Sequence, residues 1–211
     1  MIKIYGYPQS RSRRITWTME ELQQDYEALL VDLMNGEGQS AEFLAINPGG
    51  KVPAIADGDL LLTESAAIVT YLCDKWPEKH LIPEVGTSAR GLFYQWSHFV
   101  MAELEQPLWT IGKHRFALPE EYRVPAIMNT AAFEFQKALA LLEKGLGNKT
   151  YILGDDFSAA DILIAHTLMW GINFKQEVAQ QSLLDYLERC RGRDALARAI
   201  AREDALLPEK E

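Results

Sequence analysis

The stretch NPGGKVPA at residues 47–54, followed by TESAAI at residues 63–68, decides the fold of the first third of this chain. Its prolines and glycines predict a turn, and the apolar residues that follow predict a short strand. Pro53 stands at the mouth of that strand, where it cannot donate a hydrogen bond to a sheet ladder. A cis bond before Pro53 would point the backbone of Val52 outward, so that an extended ligand could pair with it.

The second motif predicts the start of a helix that follows a hairpin. An Asp-Gly dipeptide at residues 57–58 separates two apolar runs, and apolar residues then recur at helical spacing. A helix that begins near Ser65 has free amides with partial positive charge at its start, and Glu64 places a carboxylate just before them. Together with the outward backbone of Val52, these groups predict a peptide-binding edge.

The two motifs, in this order and at this separation, resemble the glutathione site of the cytosolic glutathione transferases. The resemblance implies that Pro53 is cis and that Val52 pairs its N–H and C=O with the cysteinyl unit of glutathione. It also implies that Glu64 and Ser65 hold the γ-glutamyl amine and carboxylate. The alternative is that Pro53 only shapes a turn and Ser65 only caps a helix.

Gln39 and Lys51 are candidates for binding the glycine carboxylate of glutathione. The family often has basic residues in the region of Gln39, and this chain departs from that pattern. For Lys51 the alternative is a solvated lysine in a turn. On this interpretation glutathione is a co-substrate, and no cofactor is bound permanently.

Composition favours an ordinary globular protein and argues against several partners. The chain has 211 residues, 48% hydrophobic and 24% charged, with a formal net charge of −9. An acidic protein is repelled by nucleic acid and by anionic membranes. No apolar run is long enough to span a bilayer and the N-terminus does not resemble a signal peptide, so we expect a cytoplasmic protein. Its two cysteines lie outside CxxC or metal-ligand patterns, so neither a disulfide framework nor a metal site is expected.

The order of predicted elements indicates two domains. Residues 1–80 alternate as strand, helix, strand, short helix, hairpin and helix, a βαβ unit joined to a ββα unit as in a thioredoxin-like domain. The predicted linker is residues 81–87, a stretch without periodicity that contains Pro83 and Gly86. Residues 88–211 show helical periodicity throughout. The predicted fold class is therefore α/β plus all-α: a thioredoxin-like domain followed by an all-helical C-terminal bundle.

The loop at residues 7–14 is the predicted location of the chemistry. A hydroxyl at the start of a helix and beside arginines lies in a field that stabilises a thiolate, the nucleophilic form of glutathione. SRSRRI at residues 10–15 resembles the loop of the serine-type, theta-like transferases of bacterial type, in which the first serine serves the thiolate. That resemblance assigns the role to Ser10 and a structural role to Arg14. Ser12 and Tyr7 remain alternatives, and the arginines are alternatively a solvated face.

Two features mark the C-terminal half. Pro119 and the acidic residues after it predict the start of a long helix. Ser158 and Asp161, three residues apart before an apolar run, predict a capping box that starts a buried helix, so Asp161 is expected to be structural. The resemblance also implies a hydrophobic acceptor pocket between the domains, and the aromatic and imidazole candidates for it are Trp109, His114, Phe116 and Tyr122. The alternative is that they are core or dimer-interface residues.

These observations predict a glutathione transferase that conjugates glutathione to small hydrophobic electrophiles in detoxification. The resemblance further implies a homodimer. Two alternatives stay open: a glutathione-dependent peroxidase or isomerase on the same site, and a non-catalytic transferase-like module that binds a protein. Fold alone does not choose among them.

Overall fold

A computed structural model of the chain describes residues 1–207, which form two compact units. The first unit comprises Met1–Ile82 and the segment that begins at Gly192, and the second comprises Pro83–Arg191. The sequence predicted a helical domain that starts at residue 88 and runs to the C-terminus. The observed division differs at that end, because the last helix packs on the first helix of the chain.

A four-stranded mixed sheet in the order β2-β1-β3-β4 forms the centre of the first unit. Its strands are β1 (Ile2–Gly6), β2 (Tyr26–Leu30), β3 (Ala54–Asp57) and β4 (Leu60–Thr63). β1 pairs in parallel with β2 and antiparallel with β3, and β3 pairs antiparallel with β4. This is the connectivity that the sequence predicted for a thioredoxin-like domain.

Helices surround the sheet in the first unit and make up the second. They are α1 (Arg13–Leu22), α2 (Ala41–Ile46), α3 (Ser65–Lys75), α4 (Ser88–Phe99), α5 (Glu105–Gly112), α6 (Ile127–Leu146), α7 (Ala159–Asn173), α8 (Gln181–Arg191) and α9 (Asp194–Asp204). α1, α2, α3 and α9 belong to the first unit, and α4 to α8 belong to the second. The predicted fold class, α/β plus all-α, is confirmed. Over residues 1–207, no helix combines the length and apolar character needed to cross a membrane.

α9 is held on α1 by an apolar face and by ion pairs. Its buried apolar residues are Ala195, Leu196 and Ala199. Arg193 makes a two-pronged contact with the Glu21 carboxylate, with N···O distances of 2.6 and 2.7 Å. Arg198 Nε lies 2.8 Å from Glu20 Oε2. Because both carboxylates are almost fully buried, these pairs are less screened than surface salt bridges.

α7 is apolar nearly all round and buried, as the sequence predicted. The predicted capping box is present at its start, formed by Ser158 and Asp161. The Asp161 carboxylate accepts hydrogen bonds from the amides of Ile152 (2.9 Å) and Ser158 (2.8 Å). It also accepts from the hydroxyls of Ser158 (2.7 Å) and Tyr186 (2.7 Å). Burial and the nearby Asp161 charge raise the pKa of Tyr186 well above its ordinary value, so its hydroxyl stays protonated and donates.

Three prolines shape the helices between residues 100 and 127. Pro107 lies within α5, and a π-helical segment, Val100–Leu104, joins α4 to α5 just before it. A wider π turn accommodates a proline ring that would clash in a regular helix. The prediction that a long helix starts at Pro119 is wrong, since a 3-10 turn at Glu120–Tyr122 is followed by α6 only from Ile127. Pro125 disfavours the helical conformation of the residue before it, which separates the two elements.

Candidate active site

Strand register brings the predicted site segments of the first unit to one end of the sheet. Tyr5 pairs with Ala54 across the antiparallel β1 and β3, so the loop after β1 lies beside Pro53. Ala54 also pairs with Thr63, so the start of α3 lies at the same end. Three segments that are remote in sequence therefore meet there: residues 7–12, residues 47–53 and residues 64–65.

Hydroxyl contacts hold the loop after β1 in a tight turn. Ser10 Oγ donates to the carbonyl oxygen of Tyr7 (2.6 Å) and lies 2.8 Å from Ser12 Oγ. Ser12 stands at the N-cap position of α1, but its side chain does not cap the helix. Its Oγ accepts from the Tyr7 amide of the loop instead, at 3.2 Å. Ser12 is 1% exposed, whereas Ser10 is partly exposed. Ser10 is therefore the more accessible of the two hydroxyls.

Two of the arginines that follow the loop are partnered within the first unit. Arg14 is fully buried, and its Nη1 donates to Ser65 Oγ at 2.9 Å. Arg13 pairs with Glu203 of α9, with its Nη2 2.9 Å from Oε2. They do not form the solvated face that was one interpretation of the charge run. The Arg14–Ser65 contact joins the first turns of α1 and α3, a pairing that sequence spacing did not reveal.

The turn before β3 is closed by Asn47. Its Nδ2 donates to the Lys51 carbonyl oxygen at 2.6 Å, and its Oδ1 accepts from the Gly49 amide at 2.9 Å. An asparagine just before Pro-Gly-Gly is the sequence signal for such a turn, and our sequence reasoning did not use it. The peptide bond between Val52 and Pro53 is cis, as predicted.

Gln39 lies against this turn. It ends a 3-10 turn, Glu37–Gln39, and its side-chain amide packs on Gly50, where a Cβ would lie 2.2 Å from Gln39 Nε2. Gly50 precedes Lys51, which is exposed. The Gln39 side chain therefore contacts the residue that precedes Lys51, the other candidate for the glycine carboxylate.

Gly50→Ala is expected to destabilise the protein by about 2 to 3 kcal/mol. Gly50 has φ of +61°, and an added Cβ would lie 2.7 Å from the backbone oxygen of Gly38, which cannot rotate away. Urea unfolding measures the loss. Gly58→Ala is the matched control, because Gly58 has φ of +60° but nothing within 4 Å of the added atom. Gly58→Ala should lower the free energy of unfolding only by the cost of a left-handed backbone at a non-glycine residue, about 1 kcal/mol. Equal losses in the two variants would contradict a clash between the Cβ of residue 50 and the Gly38 oxygen.

The start of α3 carries the predicted anion-binding groups. Glu64 occupies the N-cap position with φ of 66°, a positive value that side chains rarely adopt, and it is exposed. Ser65 is the first residue of α3 and is 4% exposed. α3 is anchored to β3 through Asp57, which accepts from the Tyr71 hydroxyl at 2.6 Å and pairs with Lys75. These contacts, with Lys75 contributing most, lower the pKa of Asp57.

In the second unit, three aromatic residues converge on Gly112. A Cβ on Gly112 would lie 3.5 Å from Trp109, 3.6 Å from Phe116 and 3.5 Å from Phe174. The ring of Phe174 also contacts Trp170 edge to face, with centroids 5.5 Å apart. Phe116 is 57% exposed, so part of this aromatic cluster faces outward. Sequence reasoning named Trp109 and Phe116 but missed Phe174, which lies far along the chain at the end of α7.

His114 and Tyr122, the other two residues predicted for the acceptor-substrate pocket, lie close to Trp109 and Phe116 in the sequence. His114 Nδ1 accepts from the Val124 amide at 3.1 Å, so it helps to close the loop between α5 and α6. Tyr122 lies in the 3-10 turn of that loop and is 65% exposed. A ring nitrogen that already accepts a backbone amide is a poor candidate for a base.

A unit with a four-stranded mixed sheet and a helical unit make up the described chain. Residues 1–74 match the family described as "Glutathione S-transferase, N-terminal domain", and residues 108–194 match "Glutathione S-transferase, C-terminal domain". The chain therefore belongs to the glutathione S-transferase family.

Known proteins agree with this assignment. The chain is 34% identical over 170 residues to "Glutathione S-transferase Z2" of Arabidopsis thaliana, covering 78% of this chain and 74% of that protein. A crystal structure of a glutathione transferase from Methylococcus capsulatus is 29% identical, with a TM-score of 0.87 and coverage of 97% of this chain and 100% of the other. A family member from Pseudomonas fluorescens, solved with two glutathione bound, is 25% identical with a TM-score of 0.81, covering 94% of this chain and 92% of the other.

Proposed function

We propose that this protein is a serine-type glutathione transferase that conjugates the glutathione thiolate to small hydrophobic electrophiles. The observation that carries the proposal is the convergence of the Ser10 loop, the Val52 backbone and the start of α3 at one end of the sheet. The glutathione bound in the Pseudomonas fluorescens relative supports the co-substrate. No permanently bound cofactor is part of the proposal.

The proposed binding mode distributes the tripeptide along this edge. The backbone of Val52 pairs with the cysteinyl unit, because a residue next to a strand mouth offers N–H and C=O groups to an extended peptide. Glu64 takes the γ-glutamyl amine, and Ser65 with the amides of α3 takes the carboxylate. Gln39 and Lys51 take the glycine carboxylate.

The proposed nucleophile is activated by Ser10. A hydroxyl that donates one hydrogen bond to sulfur favours the thiolate over the thiol. For this role the Ser10 hydroxyl turns its hydrogen from the Tyr7 carbonyl oxygen to the sulfur. Ser12 Oγ, 2.8 Å away, can then donate to Ser10 Oγ and support it. The chemical step is attack of the thiolate on an electrophilic carbon, with loss of a leaving group or addition to an activated double bond. The protein contributes positioning and thiolate stabilisation.

The proposed acceptor site uses exposed aromatic side chains of the second unit. The exposed face of Phe116 and its neighbour Trp109 offer flat apolar surface, to which a planar electrophile can stack. Arg115 lies over the Phe174 ring at 5.3 Å, which places a positive charge beside this surface. Tyr122 is a candidate for the rim, and His114 for a structural role.

The first experiment is calorimetry of glutathione binding, combined with the ultraviolet absorbance of the bound thiolate and a conjugation assay with a chloronitrobenzene. Binding with a thiolate signal and conjugation supports the transferase. Turnover of a hydroperoxide in place of the aryl halide would assign the site to a peroxidase. No binding at millimolar glutathione would overturn the proposal and leave a protein-binding module.

Light scattering of the same sample tests the proposed homodimer, and fractionation of the source cells tests the proposed cytoplasmic location.

Ser65→Ala is expected to weaken glutathione binding by about tenfold to a hundredfold, because a hydrogen bond to a charged group contributes roughly 1.5 to 3 kcal/mol. The loss should appear in Kd, measured by calorimetry, rather than in kcat at saturating glutathione. Thr70→Ala is the matched control, since it removes a hydroxyl that donates to the Ala66 carbonyl within the same helix, away from its start. Unchanged affinity of the Ser65 variant would remove this residue from the proposed site.

A further inference from the structure

Glu203, near the end of α9, is buried beside the loop that carries the two serines. It is 2% exposed and belongs to the first unit, although it lies 190 residues after Arg13. Its Oε2 accepts from Arg13 Nε at 3.0 Å, and its Oε1 accepts from Thr16 Oγ1 at 2.7 Å. The backbone amide of Arg13 in turn donates to the carbonyl oxygen of Ser10 at 3.2 Å.

The partners of this carboxylate lie directly after the serines, in the first turn of α1. The Arg13 amide binds the backbone of Ser10, and the Thr16 amide donates to the carbonyl oxygen of Ser12 at 3.1 Å. Glu203 therefore fixes the two residues whose amides hold the backbone of the candidate serines.

We infer that Glu203 is a positioning residue, which holds the Ser10–Ser12 segment in the geometry that serves the glutathione thiolate. This inference rests on the proposed function. It assigns to α9 a task beyond packing, since the Glu203 carboxylate holds the first turn of α1, to which the backbone of the serine segment is bonded. Burial raises the pKa of Glu203, while Arg13 and Thr16 oppose that rise. The Arg13 pairing keeps a negative charge favourable at this position.

The direction in which the pKa of the bound thiol changes distinguishes positioning by Glu203 from a simple electrostatic effect of its charge. Removal of the carboxylate charge leaves Arg13 unneutralised, and an added positive charge near the sulfur would lower the pKa of the bound thiol. Loss of positioning has the opposite effect, because a loosened Ser10 donates a poorer hydrogen bond to the thiolate. We therefore expect the thiol pKa to rise in Glu203→Gln and to rise further in Glu203→Ala.

The test compares these two variants with Arg193→Gln as the matched control. Arg193 holds α9 on α1 through Glu21, which lies near the end of α1 and not at the start that follows the loop. We expect Glu203→Ala to lower kcat/KM by about tenfold to a hundredfold, the range that misplacement of a reacting group produces. Glu203→Gln should lose less, because its amide oxygen still accepts one hydrogen bond. The control should keep both the thiol pKa and kcat/KM close to wild type.

Hydrogen exchange of the amides of residues 9–13 supplies a readout that does not need glutathione. Faster exchange of these amides in Glu203→Ala, but not in Arg193→Gln, supports the positioning role. This support holds even if the wild-type protein forms no thiolate, because the absence of a thiolate would overturn only the proposed function. Unchanged exchange with an unchanged or lowered thiol pKa would overturn the inference and leave the transferase proposal standing. If Arg193→Gln changed the exchange rates and the thiol pKa as much as Glu203→Ala does, Glu203 would only anchor α9. That result would also overturn the inference.

Discussion

Replacement of Ser10 by alanine is expected to lower kcat/KM for conjugation by roughly a hundredfold to a thousandfold, the loss that follows removal of one preorganised hydrogen-bond donor. Ser10 is the more exposed of the two serines and lies in the loop just before α1. Without its hydroxyl we expect the pKa of the bound thiol to rise by about 2, which corresponds to roughly 3 kcal/mol. Absorbance of the thiolate against pH measures the shift, and steady-state kinetics measure the rate.

Ser12→Ala and Tyr7→Phe complete this comparison. Ser12 accepts the Tyr7 amide within the loop and is 1% exposed, so its removal should act through loop geometry and cost less than removal of Ser10. Tyr7→Phe removes only a phenolic hydroxyl and should stay near wild type. If Ser12→Ala lost the thiolate while Ser10→Ala kept it, the catalytic role would belong to Ser12. A loss confined to Tyr7→Phe would assign it to the tyrosine.

Asp161→Ala is expected to reduce the free energy of unfolding by roughly 3 to 5 kcal/mol, since it leaves several buried donors without their acceptor. Those donors are the amide of Ile152 and the amide and hydroxyl of Ser158, together with the hydroxyl of Tyr186. A domain with an ordinary stability of about 5 to 15 kcal/mol would lose a large share of it. Urea unfolding followed by circular dichroism gives the value.

Tyr186→Phe is the matched control for that prediction. It removes one of the donors and leaves the carboxylate with the others, so we expect a loss of about 1 kcal/mol. Glutathione affinity of folded Asp161→Ala should be unchanged, because Asp161 lies in the second unit and the proposed glutathione site in the first. A loss below about 1 kcal/mol for Asp161→Ala would contradict the reading of this residue as the anchor of α7.

Local sequence patterns were enough to predict most elements of the fold. The capping box at Ser158, the tight turn after Asp57 and the helix that begins at Ser65 all depend on residues within a few positions of each other. The errors arose where two local signals compete. Pro119 and the acids after it favour a helix start, but Pro125 separates them from α6.

The partners of the charged residues could not be predicted in the same way. Glu20 and Glu21 have the spacing of a polar helix face, yet they are covered by arginines of α9. Arg14 has the appearance of one charge in a basic run, yet it is buried against Ser65. A polar side chain that faces another helix and one that faces water have the same periodicity, so only packing distinguishes them.

By itself, the sequence determined the α/β plus all-α fold class and the order of most strands and helices, because turns, caps and periodicity are set by near neighbours. The tertiary structure decided which residues meet. Register pairs Tyr5 with Ala54 and Ala54 with Thr63, and α9 carries Glu203 back to the first turn of α1. Such contacts join segments that are remote in the chain, so their energies depend on packing that local patterns do not contain.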